Sequence, residues 1–158
     1  MTRSLPGVLA LWLAAWTAAW PATVRAAAKP DNARISIRII YAVKAEVHSV
    51  DPALKDIEGE LLELPFSKFR LLDRLETDVQ LNSTVELQFP GDRTIAVTFR
   101  GIDTSMGKKM LSLEVAIKPA AKISFRIAEG GRTMFIGPSH LEGKLIVDVS
   151  ARLEEKSK

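Results

Sequence analysis

Two histidines, His48 and His140, are the residues of this chain best suited to bind a transition metal or to act as a base near neutral pH, because cysteine is absent. Asp51 lies close to His48 in sequence, and Glu142 lies close to His140. A metal site could combine both histidines with one of these carboxylates, but no HxH or HExxH spacing supports it. We interpret both histidines as exposed loop residues and predict no metal site.

The sequence also predicts no catalytic residue and no cofactor. Ser139 and His140 are adjacent, and adjacent side chains do not give the geometry in which a base accepts the serine proton. No Gly-x-Ser-x-Gly elbow is present. A hydrolase that uses His48 or His140 with a carboxylate is therefore the least favoured function.

The segment Glu129-Gly130-Gly131-Arg132 contains the glycines that a phosphate-binding loop needs. It lacks the GxxxxGK[ST] pattern, and apolar strand patterns rather than a helix flank it on both sides. We interpret it as the turn of a tight hairpin between Ile123–Ile127 and the run around Phe135, with Gly137-Pro138 ending the second strand. The run Ile123–Gly137 resembles the hairpin of the pore-forming domain of bacterial secretins; the chain is too short for that family, and we assign no family.

Residues 1–28 have the pattern of a cleaved secretory signal peptide: Arg3, then the apolar run Val8–Trp20, then Ala26-Ala27-Ala28. An uncleaved membrane anchor is the alternative. Cleavage would lower the formal net charge from +3 to +1, because 20 basic and 19 acidic residues follow. This near balance argues against nucleic acid as a partner. A cysteine-free exported chain favours the periplasm or the exterior of a bacterial envelope.

The elements that would position the histidines and the Glu129–Arg132 turn are mostly β-strands. Ile35–Val47 alternates between apolar and polar residues, with Ile40 and Ala42 apolar on the polar side, which predicts cover on both faces. Asp51-Pro52 predicts the start of one helix, of about three turns, that ends before Pro65. Its expected apolar face comprises Leu54, Ile57, Leu61 and Leu62.

Alternating runs then recur every 8 to 14 residues or so, as in a sandwich or barrel. They cover residues 69–81, 85–89, 95–99, 111–117, 123–127 and 145–149, with an irregularity expected near Leu72–Arg74. The prediction is a mainly β (α+β) fold, a single antiparallel β-sandwich or barrel-like domain of about 7–8 strands with one short helix near residues 51–63. It would span residues 35–153, between a mobile lead-in (29–34) and a charged tail (154–158).

The expected function is that of a secreted or periplasmic, non-enzymatic module that binds another envelope protein or forms part of an assembly. Strand addition at an exposed edge, expected at the first or last strand, would be its docking mode. A small-ligand or lipid-binding carrier is the alternative. The candidate recognition surface combines the hairpin turn with the following loop and consists of Glu129, Arg132, Ser139, His140 and Glu142.

Overall fold

The computed structural model describes residues 32–154, so the predicted signal peptide and most of the charged tail lie outside the described residues. Alternating apolar residues form nine strands, and Asp51-Pro52 begins a short helical segment, as expected. The strands are β1 (Asn32–Val43), β2 (Ser49–Val50), β3 (Lys68–Gln80), β4 (Thr84–Phe89), β5 (Arg93–Asp103), β6 (Met110–Lys118), β7 (Ala121–Ala128), β8 (Arg132–His140) and β9 (Gly143–Leu153). The helical segment consists of a 3₁₀-helix, Pro52–Ile57, and α1, Glu58–Leu62.

The strands form two sheets. Sheet A has the order β2-β3-β1-β9-β8, and sheet B has the order β4-β5-β6-β7. All pairs are antiparallel except the short parallel pair of β2 with β3. The predicted fold class, a mainly β sandwich or barrel-like fold with one short helix, is confirmed.

The core between the sheets is built from the inward-facing residues of the alternating runs. Sheet A contributes Ile35, Ile37, Ile39, Val147 and Val149, and sheet B contributes Ile95, Val97, Phe99, Leu113 and Val115, among others. Burial of these side chains is the main stabilising contribution to the sandwich, at roughly 1.5–3 kcal/mol for each large residue.

A second, smaller core lies on the outer face of sheet A, under the helical segment. Ile40, Ala42 and Ile146 of the sheet pack there with Leu54, Ile57, Leu61 and Phe69. The expectation that Ile40 and Ala42 are covered is thus confirmed. Asp51 caps the 3₁₀-helix, since its carboxylate accepts a hydrogen bond of 3.0 Å from the backbone N–H of Ala53.

The helical segment differs from the single helix of about three turns that the spacing predicts. Its first half is 3₁₀, and only five residues are α-helical. The tighter 3₁₀ turn rotates the later residues away from the predicted face, so Leu61 is buried and Leu62 is exposed. The prediction that Leu62 packs on the sheet is wrong.

The irregularity expected near Leu72–Arg74 is confirmed. Ile39 pairs with Asp73, whereas the next residue, Ile40, pairs with Leu71, so Leu72 is the extra residue of a bulge in β3. The first strand begins at Asn32, before the predicted Ile35, and ends at Val43 instead of Val47. Val47 is therefore in a loop and exposed.

The predicted hairpin around Glu129–Arg132 is wrong. β7 pairs with β6 in sheet B, and β8 pairs with β9 in sheet A, so the turn carries the chain from one sheet to the other. Gly137-Pro138 does not end β8 either: it produces a register irregularity between Ile136 and Ser139, and pairing continues to His140. The hairpin of this region is instead β8–β9, which also removes the basis for the resemblance to the secretin hairpin.

Candidate functional site

One end of the sandwich presents exposed apolar side chains. We call it the Leu141 end: it comprises the segments 44–48, 90–92, 119–120 and 141–142, where β1 ends and β9 begins. The first and last described residues meet at the opposite end, where the backbone N–H of Glu154 donates a hydrogen bond of 2.9 Å to the carbonyl of Asn32. The Leu141 end therefore points away from both ends of the described chain.

Leu141 is the residue of this end that packing and turn chemistry explain least. It begins the two-residue turn of the β8–β9 hairpin, because His140 pairs with Gly143. Its φ angle is 49°, in the left-handed region that favours glycine and asparagine, and it is 79% exposed. An exposed leucine in this conformation adds backbone strain without gaining burial. Strained backbone of this kind is a reason to consider Leu141 a candidate for a functional role.

A cleft of about 430 Å³ opens beside Leu141. Its apolar lining comes from Val43, Phe66 and Leu141, and its charged lining from Lys44, Lys144 and Glu142, with Ser139 and Gly143 completing it. This volume lies within the range typical of ligand clefts, roughly 300–1,000 Å³. Other surface clefts of the described residues have volumes of about 320, 340 and 500 Å³, so it is the lining of this cleft that distinguishes it. The cleft can hold an apolar group and place a polar neighbour near the lysines.

Hydrogen bonds hold the rim of this cleft in position. Lys144 Nζ donates to Ser139 Oγ at 2.8 Å, and Arg93 Nη2 donates to the Ser139 carbonyl at 3.1 Å. Only glycine fits at position 143, because a Cβ there would clash with the carbonyl oxygen of Ala42. The backbone of the turn therefore lies directly against β1.

A second exposed apolar residue, Val47, lies in the segment that contributes Lys44 to the cleft. Val47 is 74% exposed, and the segment 44–48 lies outside the strands. Two loops from different parts of the chain therefore each expose one large apolar side chain at the same end.

The five residues of the predicted recognition surface fall into two groups. Ser139 and Glu142 line the cleft, and His140 lies beside them at the end of β8. Arg132 lies at the other end of β8, eight residues earlier, which corresponds to about 26 Å at 3.3 Å per residue. Glu129 is at that far end as well, where its carboxylate lies 3.9 Å from Lys109 Nζ. The structure therefore brings together only Ser139, His140 and Glu142 of the predicted surface, at the end of β8 and in the β8–β9 turn.

Both histidines contact aromatic rings. The ring of His140 lies edge-on to Tyr41 with the centroids 5.9 Å apart, and the ring of His48 lies against Phe69 at 6.2 Å. Residues 32–154 contain no group of three or more His, Cys, Asp or Glu side chains arranged to hold a metal ion. His48 is exposed and lies in the loop 44–48, as expected. His140 is half-buried at the end of β8, so the prediction that it is an exposed loop residue is wrong.

A network of charges lies under the helical segment, on the outer face of sheet A. Arg38 and Asp148 face each other on β1 and β9 and are only 5% and 2% exposed. Arg38 Nε donates to Asp148 Oδ2 at 2.7 Å, and Arg38 Nη1 donates to both oxygens of Asp56 at 2.8 and 2.9 Å. Arg132 Nη2 adds a bond of 3.3 Å to Asp56. Because Asp56 belongs to the 3₁₀-helix, the network ties the helical segment to the sheet.

The arginines of this network lower the pKa of Asp56. The hydrogen bond from the Arg38 guanidinium holds the pKa of the Asp56 carboxyl below its usual value, and Arg132 acts in the same direction. Asp148 Oδ1 is buried and accepts no hydrogen bond, but both carboxylates of the network are paired with an arginine. We assign the network a structural role.

The expectation that the first or last strand is an exposed edge is wrong. β1 lies between β3 and β9, and β9 lies between β1 and β8. Within residues 32–154 the outer strands are β2 and β8 of sheet A and β4 and β7 of sheet B. β8 contains Pro138, which has no N–H to donate to an added strand. Strand addition along all of β8 is therefore unfavourable.

No family model, curated protein or solved structure matches the chain. Within residues 32–154, no helix has the length and apolar character needed to cross a membrane. The fold class therefore follows from the structure itself: two sheets form a sandwich or barrel-like fold, with a short helical segment on one face.

Proposed function

We propose that this chain is an exported, non-enzymatic interaction module of the bacterial envelope that docks onto another protein through the Leu141 end. The observation that carries the proposal is Leu141 itself, an exposed leucine held at a φ of 49° where asparagine or glycine would be less strained. The signal-peptide pattern of residues 1–28 supports export.

The surroundings of Leu141 support docking of a protein. The cleft lined by Val43 and Phe66 is concave and partly apolar, and Val47 extends the apolar surface on a neighbouring loop. Interfaces of this kind usually depend on a few apolar anchors within a polar rim. The carrier and hydrolase alternatives stay predictions from the sequence.

Site-specific photo-cross-linking in the native host tests this proposal. A photoreactive phenylalanine analogue replaces Leu141 in the full chain, and a matched control carries it at Met106. Met106 is equally exposed, at 77%, but lies in the β5–β6 loop at the opposite end of the sandwich. We expect one defined adduct from position 141 and none from position 106.

Adducts of equal yield from both positions would contradict docking through the Leu141 end. Absence of any adduct from position 141 under conditions where the chain is folded and exported would contradict it as well.

A further inference from the structure

We infer that the Leu141 cleft binds a segment of the partner protein in which an apolar side chain is next to an aspartate or glutamate. This inference rests on the proposed function and adds the chemistry of the partner. The lining of the cleft combines three apolar side chains with two lysines, and each of these features selects one part of such a segment.

The lysines of the rim have no ionic partner in the described part of the chain. Neither Lys44 nor Lys144 is in an ion pair within residues 32–154; Lys144 makes only its hydrogen bond to Ser139. Sheet B differs, since its exposed lysines Lys118 and Lys122 pair with Glu86 and Glu114. Unpaired positive charge at the cleft is complementary to a carboxylate of the partner.

Glu142 is the only acidic residue that lines the cleft, so the charged lining has an excess of one positive charge. A carboxylate that enters between Lys44 and Lys144 would be held by charge-assisted hydrogen bonds. The adjacent apolar side chain would then contact Val43, Phe66 and Leu141. The order of the two groups in the partner fixes the direction of the bound segment.

The shape of the site favours a peptide over a membrane surface. An anionic bilayer would attract the same lysines and could accept Leu141, but Val43 and Phe66 are half-buried, so a flat surface has less access to them than to the exposed Leu141. A protruding side chain has more access to them. A membrane is therefore the competing outcome that the experiment has to detect.

Peptide selection on the full-length chain tests the inference. A random heptapeptide phage library is panned against wild type and against Leu141→Asn, and enriched peptides are resynthesised with a fluorescent label for anisotropy titration. We expect enrichment of sequences that join Leu, Ile or Phe to Asp or Glu, and their loss on Leu141→Asn. Lys44→Gln and Lys144→Gln should each weaken binding by about two- to fivefold.

Two control variants separate charge from other effects of substitution. Lys144→Arg keeps the positive charge and should bind within about twofold of wild type. Lys108→Gln removes a lysine from the β5–β6 loop at the far end and should leave binding unchanged. Raising the salt concentration should weaken wild type more than the double variant Lys44→Gln/Lys144→Gln.

The outcomes distinguish the inference from the proposed function. Apolar peptides without acidic residues, lost on Leu141→Asn, would overturn the inference and leave the proposed docking end intact. Equal enrichment on Leu141→Asn would overturn both. Failure to enrich any peptide, or Leu141-dependent sedimentation with phosphatidylglycerol vesicles in its place, would overturn the inference.

Discussion

Replacement of Arg38 by methionine tests the structural role of the buried charge network. The substitution keeps most of the aliphatic part of the side chain but leaves Asp148, only 2% exposed, without the guanidinium that bonds its Oδ2. Removing one partner of a buried ion pair typically costs about 3–5 kcal/mol. The second partner, Asp56, has a side chain that is 53% exposed, so its share should stay below about 1 kcal/mol.

The double variant Arg38→Met/Asp148→Leu supplies the matched control. It removes both buried charges together, and such replacements are often neutral or stabilising. Urea unfolding followed by far-ultraviolet circular dichroism should show a midpoint about 2 M lower for Arg38→Met and near wild type for the double variant. A loss below about 1 kcal/mol for the single variant, or a double variant no more stable than the single one, would refute the reasoning.

Three further predictions concern stability. The pKa of Asp56 is lowered in the folded state, so the contribution of its carboxylate to stability is present above about pH 4 and is lost as pH falls through the folded-state pKa. In Asp56→Asn the urea midpoint should therefore fall less steeply in acid than in wild type. An unchanged acid dependence would contradict this. Gly143→Ala places a Cβ against the carbonyl oxygen of Ala42 and should cost about 1–3 kcal/mol in the same assay; a wild-type midpoint would show that the turn is not pressed on β1. Leu141→Asn relieves the strain of the left-handed backbone and should raise the free energy of unfolding by up to about 1 kcal/mol. The control Met106→Asn should not change it. A clear decrease in the free energy of unfolding for Leu141→Asn would mean that the leucine stabilises the fold by packing.

The sequence predicts the parts of the fold that depend on local pattern. The alternation around Ile37 and the Asp51 cap act within a few residues, and both are found in the structure. The bulge at Leu72 was detectable because an extra residue shifts the apolar pattern from one face to the other. These features follow from steric and capping preferences that short segments already possess.

Pairing between distant strands was not predictable in the same way. The Glu129–Arg132 turn has hairpin composition, but a glycine turn can join strands in one sheet or in two, and only the packing of the whole sandwich decides between them. In the structure Phe135 and Ile136 of β8 lie opposite Val147 and Ile146 of β9. The sequence pattern of each strand is compatible with either partner.

Only part of the candidate site can be predicted from the sequence, because the cleft also depends on contacts between distant segments. The polar residues Ser139, His140 and Glu142 predict a recognition surface in this region, but their pattern does not select Leu141 between them. The available signal was a leucine in a polar turn directly before Glu142-Gly143. Lys44 and Phe66 join the cleft only through tertiary structure.

The most direct test of the docking claim combines stability and cross-linking in one variant. The photoreactive residue is placed at position 47, on the neighbouring loop, in chains with leucine or asparagine at position 141. We expect that Leu141→Asn leaves the urea midpoint equal or higher and abolishes the adduct formed from position 47. An adduct of undiminished yield from the stable Leu141→Asn chain would contradict the claim that Leu141 anchors the partner.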